Sequence, residues 1–346
     1  MKLGIVGYGS YIPCYRITAQ EIARENNHDW KKIAASLGVT EKSVPAKDED
    51  AVTLGVRAAR NALTRAGISA SALGVIYVGS ESHPYAVKPS ASIIGAALGI
   101  GLNYAAADLE FACKAGTAAL QAAYAQVKSG FTEHALAIGT DTAQAAAGDI
   151  LEYTSGAGAA AYIVGVGDGV LVTIDATMSL STDTPDFWRR GLRKFPEHVG
   201  RFPAEPGYFS HIQAMTQMVL ERTKLEPKDF AHVVFHQPNG RFPISAAAKL
   251  GFTQQQIEAG LLVKSVGNSY SASTMLGLTA VLDVAKPGQR LLLISYGSGS
   301  GCDAFVLTVT ERLPQVQAYT TATLAYAARR KQVSYTNYRY NLDMIY

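Results

Sequence analysis

Short apolar runs rich in Val, Ile and Leu alternate with alanine-rich helical runs along most of this chain, and the alternation runs through twice. The first pass holds LGIVGYG, a helix over residues 52–66 closed by Gly67, then GVIYVGSES, SASIIGAALG, a strand over 105–112 and a helix over 114–127. It ends on three further strands, ALAIGTDTA, GAGAAAYIVG and VLVTIDATMSLS. The second pass has helices over 209–224, 242–251 and 275–285, the strand AHVVFHQPNG, and a final pair in RLLLISYGSGSG and DAFVLTVTE. Such alternation predicts an α/β fold with helices layered on sheets. At 346 residues the chain exceeds the ~150 of one compact core, which suggests two domains or an internal duplication. The expected partition is a first half at 1–180 and an inserted loop region at 181–206. A second half at 207–312 and an extension at 313–346 complete it. The insert is rich in Pro, Arg and aromatic residues, as functional loops often are. The Tyr-rich extension reads as a packed tail or an interaction arm.

Charge and cysteine content remove several function classes. Net charge is 31 − 28 = +3, too small for a nucleic-acid binder. Three cysteines without CxxC spacing argue against a disulfide framework or a metal site. No apolar run approaches the ~18 residues of a membrane span, and the first residues read as a strand and turn, so the expected location is cytoplasmic.

Chemistry concentrates at polar punctuations expected at strand ends, where α/β folds place their sites. Cys113, in EFACKAGTAAL, falls between a strand-like and a helix-like run. Free N–H groups at a helix start stabilise a thiolate, so the thiol pKa is expected below the ordinary ~8.5. The alternative is an inert buried cysteine. Glu81 lies in GSESHPYAVKPS, with His83 as a rival two positions on; either could equally be a solvated loop residue. His236 in FHQPNGRF could be a satisfied strand-end histidine, and Asn268 in GNSYSAS a turn residue. Taken together, a thiol, a carboxylate base and an imidazole suffice for carbon–carbon bond formation through an acyl thioester.

Five ordered motifs carry a resemblance. GSESHPYAVKPS, FACKAGTAA, HQPNGRFP, GNSYSAS and SYGSGSG stand in the order and spacing of thiolase-superfamily condensing enzymes, specifically the hydroxymethylglutaryl-CoA synthase family of archaeal type. The resemblance covers roughly residues 1–312 and implies a thiolase-like fold: two pseudo-duplicated α/β halves in an α-β-α-β-α core. It implies catalytic roles for Cys113 as acetyl carrier, Glu81 as base and His236 at the acceptor ketone. Asn268, Ser298, Thr154 and Asp29 would contact substrate, and Arg201 and Arg241 would contact coenzyme A. Backbone N–H groups of Cys113 and the 297–299 turn would hold the enolate oxygen. The implied substrates are acetyl-CoA and acetoacetyl-CoA, with no cofactor and no metal, in mevalonate and isoprenoid synthesis. A homodimer is implied, as is a complex with acetoacetyl-CoA thiolase bridged by a small zinc-ribbon/OB-fold protein. Two departures stand out: Pro203 where relatives commonly have Thr, and Ser245 where they commonly have Arg.

Three other readings compete. A β-ketoacyl synthase could use Cys113, His236 and Asn268, but decarboxylative condensation needs no carboxylate such as Glu81. A scaffold subunit should have lost the nucleophile or base, and a thiolase should show a second catalytic cysteine. Cys302 lies past the glycine-rich turn, at what reads as a strand start.

Overall fold

In the computed structural model, which describes residues 2–143, 145–199 and 203–342, nine strands form the main sheet. They are β1 (Leu3–Tyr11), β2 (Val75–Gly79), β3 (Ala105–Leu109), β4 (Ala135–Thr142), β5 (Ala157–Val166), β6 (Val172–Ser181), β7 (His232–Phe235), β8 (Arg290–Ile294) and β9 (Gly301–Val309). The spatial order is β7-β8-β9-β6-β1-β5-β4-β2-β3. On one side β1 pairs antiparallel with β5, β5 antiparallel with β4, and β4 parallel with β2. On the other, β6 pairs antiparallel with β9, β9 antiparallel with β8, and β8 parallel with β7. The two half-sheets thus share one topology, the first having β3 as an extra edge. They meet only where Gly4 and Ile5 of β1 pair with Thr173 and Val172 of β6.

Four helices give the layers: α1 (Ala51–Ala66), α2 (Ala115–Lys128), α3 (Ser210–Thr223) and α4 (Ser273–Leu282). Helix α1 is capped by Asp50 in a capping box and closed by left-handed Gly67, and it packs on β1, β5 and β4. Helix α3 covers β9 and β6. Between the half-sheets lie α2 and α4, which touch each other. Every residue of α4 is buried, as a helix enclosed on all sides must be. This is the expected α-β-α-β-α order.

Two sequence expectations change. The strand over 105–112 stops at Leu109, and the chain turns through 110–114 before α2 begins at Ala115. The insert is not simply a loop. It folds a two-residue hairpin, Phe187–Trp188 against Glu197–His198. The extension packs back on the first half: Lys331–Gln332 pairs with Tyr15–Thr18, and the helix Tyr335–Asn341 buries Tyr338 against Lys42, whose Nζ donates to the phenol oxygen at 3.0 Å.

Candidate active site

Cys113 occupies a tight turn. Ala112, just before it, is held at φ 44°, a left-handed conformation that costs a non-glycine residue ~1–3 kcal/mol and persists only where the surroundings impose it. The imposing contacts come from the other half. Ser271 Oγ donates to Ala112 O at 3.3 Å, and Gly297 lies so close that a Cβ there would sit 2.7 Å from Phe111 O. Lys114, next to the nucleophile, extends across the halves to Asp303 of β9 at 2.9 Å, with both side chains buried.

The Cys113 thiol is buried close enough to Glu81 to feel its charge. Burial, then the charges of Glu81, Asp141 and Asp186, push this thiol well above its ordinary value. The expected depression does not occur. A helix start offers partial positive charge, but desolvation and three nearby carboxylates outweigh it. Cys113 therefore rests as a thiol near Glu81. Glu81 itself is pushed up to about 8, first by burial and then by Asp141. Its buried Oε1 has no partner among the described residues, so it is open to a substrate proton.

Glu81 follows β2 and His236 follows β7, the equivalent strand of the other half, so the duplication brings base and imidazole to the same end of the two half-sheets. His236 N–H donates to Ile294 O at 2.9 Å, and Thr274 Oγ1 lies 3.5 Å from its Nδ1. Burial lowers its pKa to about 3, which makes it a neutral imidazole. Asn268 follows the short helix Val263–Val266 rather than a strand. Its N–H donates to Thr154 O at 2.6 Å, and its Oδ1 accepts from Tyr270 N–H at 3.0 Å. Asn268 and Thr154 are thereby joined, and Tyr270 is turned onto Cys113. Ser298 lies half-buried in the 297–301 turn. The N–H of Gly297 is engaged by Gly301 O at 2.8 Å.

The coenzyme candidates lie apart. Asp29 caps the helix Trp30–Leu37, accepting from the N–H groups of Lys31 and Lys32, and lines a cavity of about 380 Å³ with His28, Lys32 and Tyr153. Arg241 donates twice to Ala35 O of the same helix, at 3.0 and 2.7 Å. Arg201 lies outside the described residues, as does the side chain of Pro203. A larger cavity, about 610 Å³, opens on Glu81, His83, Asp141, Tyr270 and Arg189, with Leu342 of the extension in its wall. It reaches the base without Cys113 or His236 in its lining.

Several functional positions escaped the sequence. Asp141, at the end of β4, accepts from Ser80 Oγ (2.7 Å), Glu81 N–H (2.8 Å), Ser82 Oγ (2.7 Å) and Ser271 N–H (2.8 Å). It fixes the Glu81 main chain and ties it to the segment carrying Asn268. A carboxylate closing the apolar strand ALAIGTDTA was the available signal. The hairpin adds Asp186, buried with Tyr296 donating to it at 2.7 Å, and Phe187, which packs with Cys113 and Tyr270. Asp141→Asn puts amide hydrogens against one or more of those donors. A loss of ~1–3 kcal/mol is expected for each buried group left unpaired, read as a lower denaturant midpoint. An unchanged midpoint would remove Asp141 from this role.

Relatives resolve what kind of condensing site this is. The family model "Hydroxymethylglutaryl-coenzyme A synthase N terminal" matches residues 1–169, and "3-Oxoacyl-[acyl-carrier-protein (ACP)] synthase III C terminal" matches 220–309. A hydroxymethylglutaryl-CoA synthase of Archaeoglobus fulgidus is 53% identical over 90% of this chain and 90% of its own. One of Methanocella arvoryzae is 51% identical over 98% and 97%. The chain belongs to the hydroxymethylglutaryl-CoA synthase family. Enzymes of this family are condensing acyltransferases of the thiolase superfamily. A solved hydroxymethylglutaryl-CoA synthase complexed with CoA superposes with a TM-score of 0.88 at 26% identity, covering 98% of this chain and 90% of that one. A 3-oxoacyl-(acyl carrier protein) synthase III of Pseudomonas aeruginosa, at 21% identity and a TM-score of 0.82 over 90% of this chain and 99% of that one, shares the fold.

Proposed function

We propose that this chain makes (S)-3-hydroxy-3-methylglutaryl-CoA from acetyl-CoA, acetoacetyl-CoA and water through an acetyl-Cys113 thioester. The observation that carries the reading is the tie between Glu81 and the Cys113 turn: Asp141 accepts from the N–H groups of Glu81 and Ser271, and Ser271 Oγ donates to Ala112 O. Glu81 takes the thiol proton as sulfur attacks the acetyl carbonyl, and coenzyme A leaves as its thiol. Glu81 then removes a methyl proton, and the resulting enolate attacks C3 of acetoacetyl-CoA. His236, a neutral imidazole, donates a hydrogen bond to the ketone oxygen as it becomes the tertiary alkoxide, which then takes the proton held on Glu81 to become the hydroxyl. Water finally cleaves the Cys113 thioester, leaving a free carboxylate and the thiol. With Gly297 engaged, the N–H groups of Cys113, Ser298 and Gly299 are the proposed oxyanion donors. Asn268, Ser298, Thr154 and Asp29 are proposed to contact substrate. Arg241 and Arg201 are assigned to coenzyme A phosphates, to which guanidinium geometry is suited. No step calls on a cofactor.

Glu81 favours this reading over decarboxylative condensation, because only deprotonation of an acetyl methyl requires a base. We place the enzyme in the mevalonate branch of isoprenoid synthesis, in the cytoplasm, as a homodimer. What supports a second copy is β3, an open sheet edge flanked by the exposed Tyr85, Val87 and Leu102. A complex with acetoacetyl-CoA thiolase and a zinc-ribbon/OB-fold protein is carried by family resemblance alone. The test is incubation with acetyl-CoA and acetoacetyl-CoA, following product by mass. His236→Ala is expected to acetylate Cys113 normally, raise the Michaelis constant for acetoacetyl-CoA, and slow condensation by ~10²-fold or more. Normal condensation by this variant would remove His236 from the acceptor site.

A further inference from the structure

The insert hairpin does more than cover the site. Three of its side chains reach three separate segments: Asp186 meets Tyr296, Phe187 packs on Tyr270, and Arg189 meets Glu81. Arg189 Nη2 donates to the main-chain oxygen of Glu81 at 2.8 Å, while its Nη1 lies 3.4 Å from Arg193 O, closing the hairpin tip on itself. The guanidinium also lines the 610 Å³ cavity onto which Glu81 opens.

We propose that Arg189 is a positioning residue for the base, holding the Glu81 main chain from the hairpin and setting a positive charge against its carboxylate. This rests on the reading of Glu81 as the base. Around Glu81 the charges are unbalanced. Asp141 from β4 and Glu110 from the Cys113 turn oppose its ionisation. The mouth adds Asp48, Glu49 and Asp50 on one side, with Lys47, His83 and Lys194 also in the wall. Arg189 is a cation whose charge favours the ionised carboxylate, against burial and Asp141, and a base that must be ionised to work gains from it. Main-chain tethering and charge act together: the hydrogen bond fixes where Glu81 starts from, and the guanidinium favours its reactive form.

The experiment reads deuterium uptake into the methyl group of acetyl-CoA incubated with the enzyme in D2O, as a function of pH and without acceptor. Arg189→Gln is expected to move the acid limb of that profile upward by roughly 0.5–1 unit. That is less than the ~1–3 units of a close pair, because Arg189 is exposed and screened by solvent. Arg189→Lys should restore much of the position, and Arg190→Gln, at the neighbouring exposed arginine, should leave the limb in place. An unmoved limb in Arg189→Gln overturns the proposal. An equal shift in Arg190→Gln does so too, since general surface charge would then suffice. A uniform fall at all pH values with the limb fixed assigns Arg189 a purely structural role and overturns it as well. Glu81→Gln separates the two readings: exchange that survives in that variant refutes Glu81 as the base, whatever the Arg189 variants show.

Discussion

Cys113→Ala is expected to abolish both the acetyl adduct and the product. Intact mass after brief exposure to acetyl-CoA should rise by one acetyl group in the parent protein and not in the variant. Turnover should fall on the order of 10⁶-fold, as when a nucleophile acting within a catalytic unit is removed. The fold should survive, since the change removes one small side-chain atom from a site whose turn is held by Ser271 and Gly297. A second arm uses the direction of the thiol's pKa. Burial and neighbouring carboxylates hold Cys113 above the ordinary thiol range, so a general alkylating reagent at neutral pH should modify the exposed Cys14 first. Acetyl-CoA should reverse that order, because the site supplies Glu81 as base to whatever binds in it. An adduct persisting in Cys113→Ala, or mapping to Cys14 or Cys302, would sink the assignment.

That contrast also shows what a linear chain reveals. Glu81, Cys113 and His236 stand out because each is a reactive side chain where an apolar run turns polar, and such junctions sit at strand ends whatever the rest of the fold does. The doubled strand–helix alternation was equally legible, being set by local periodicity. The Cys113 pKa was not. Its helix start is encoded nearby, but burial, then the charge of Glu81, then those of Asp141 and Asp186 brought from 28 and 73 residues away, reversed the local expectation. Left-handed Ala112 and Tyr270 are likewise invisible in sequence, because neither is a glycine and both are held there by packing between halves. Asn268 was placed correctly as a polar turn but after the wrong element, since its role comes from pairing with Ser155 across the site. Arg189 was one arginine among several in an insert of mixed charge, and the hairpin singles it out.

The second large effect belongs to Glu81. Glu81→Ala should acetylate Cys113 and yet lose condensation by ~10²–10⁴-fold from general-base catalysis alone, with misplacement of the enolate adding to that. Glu81→Gln sharpens the test by keeping the side chain's shape. Acetylation, in which Glu81 also takes the thiol proton, should slow in the variant yet still reach one acetyl group on Cys113, while methyl deprotonation fails. An acetyl adduct that forms without product separates the two steps, which a collapsed site could not produce. The pH dependence has a fixed sign. A base works as its ionised form, and Glu81 is pushed up to about 8, so methyl deprotonation should rise as pH climbs through that region and level off above it. His236, near 3, contributes no limb there. If Glu81→Ala condenses at near the parent rate, suspicion moves to His83, whose ring is held by Ser90 at 2.8 Å and faces the same cavity. His83 would leave a different trace: condensation surviving in Glu81→Gln and lost in His83→Gln.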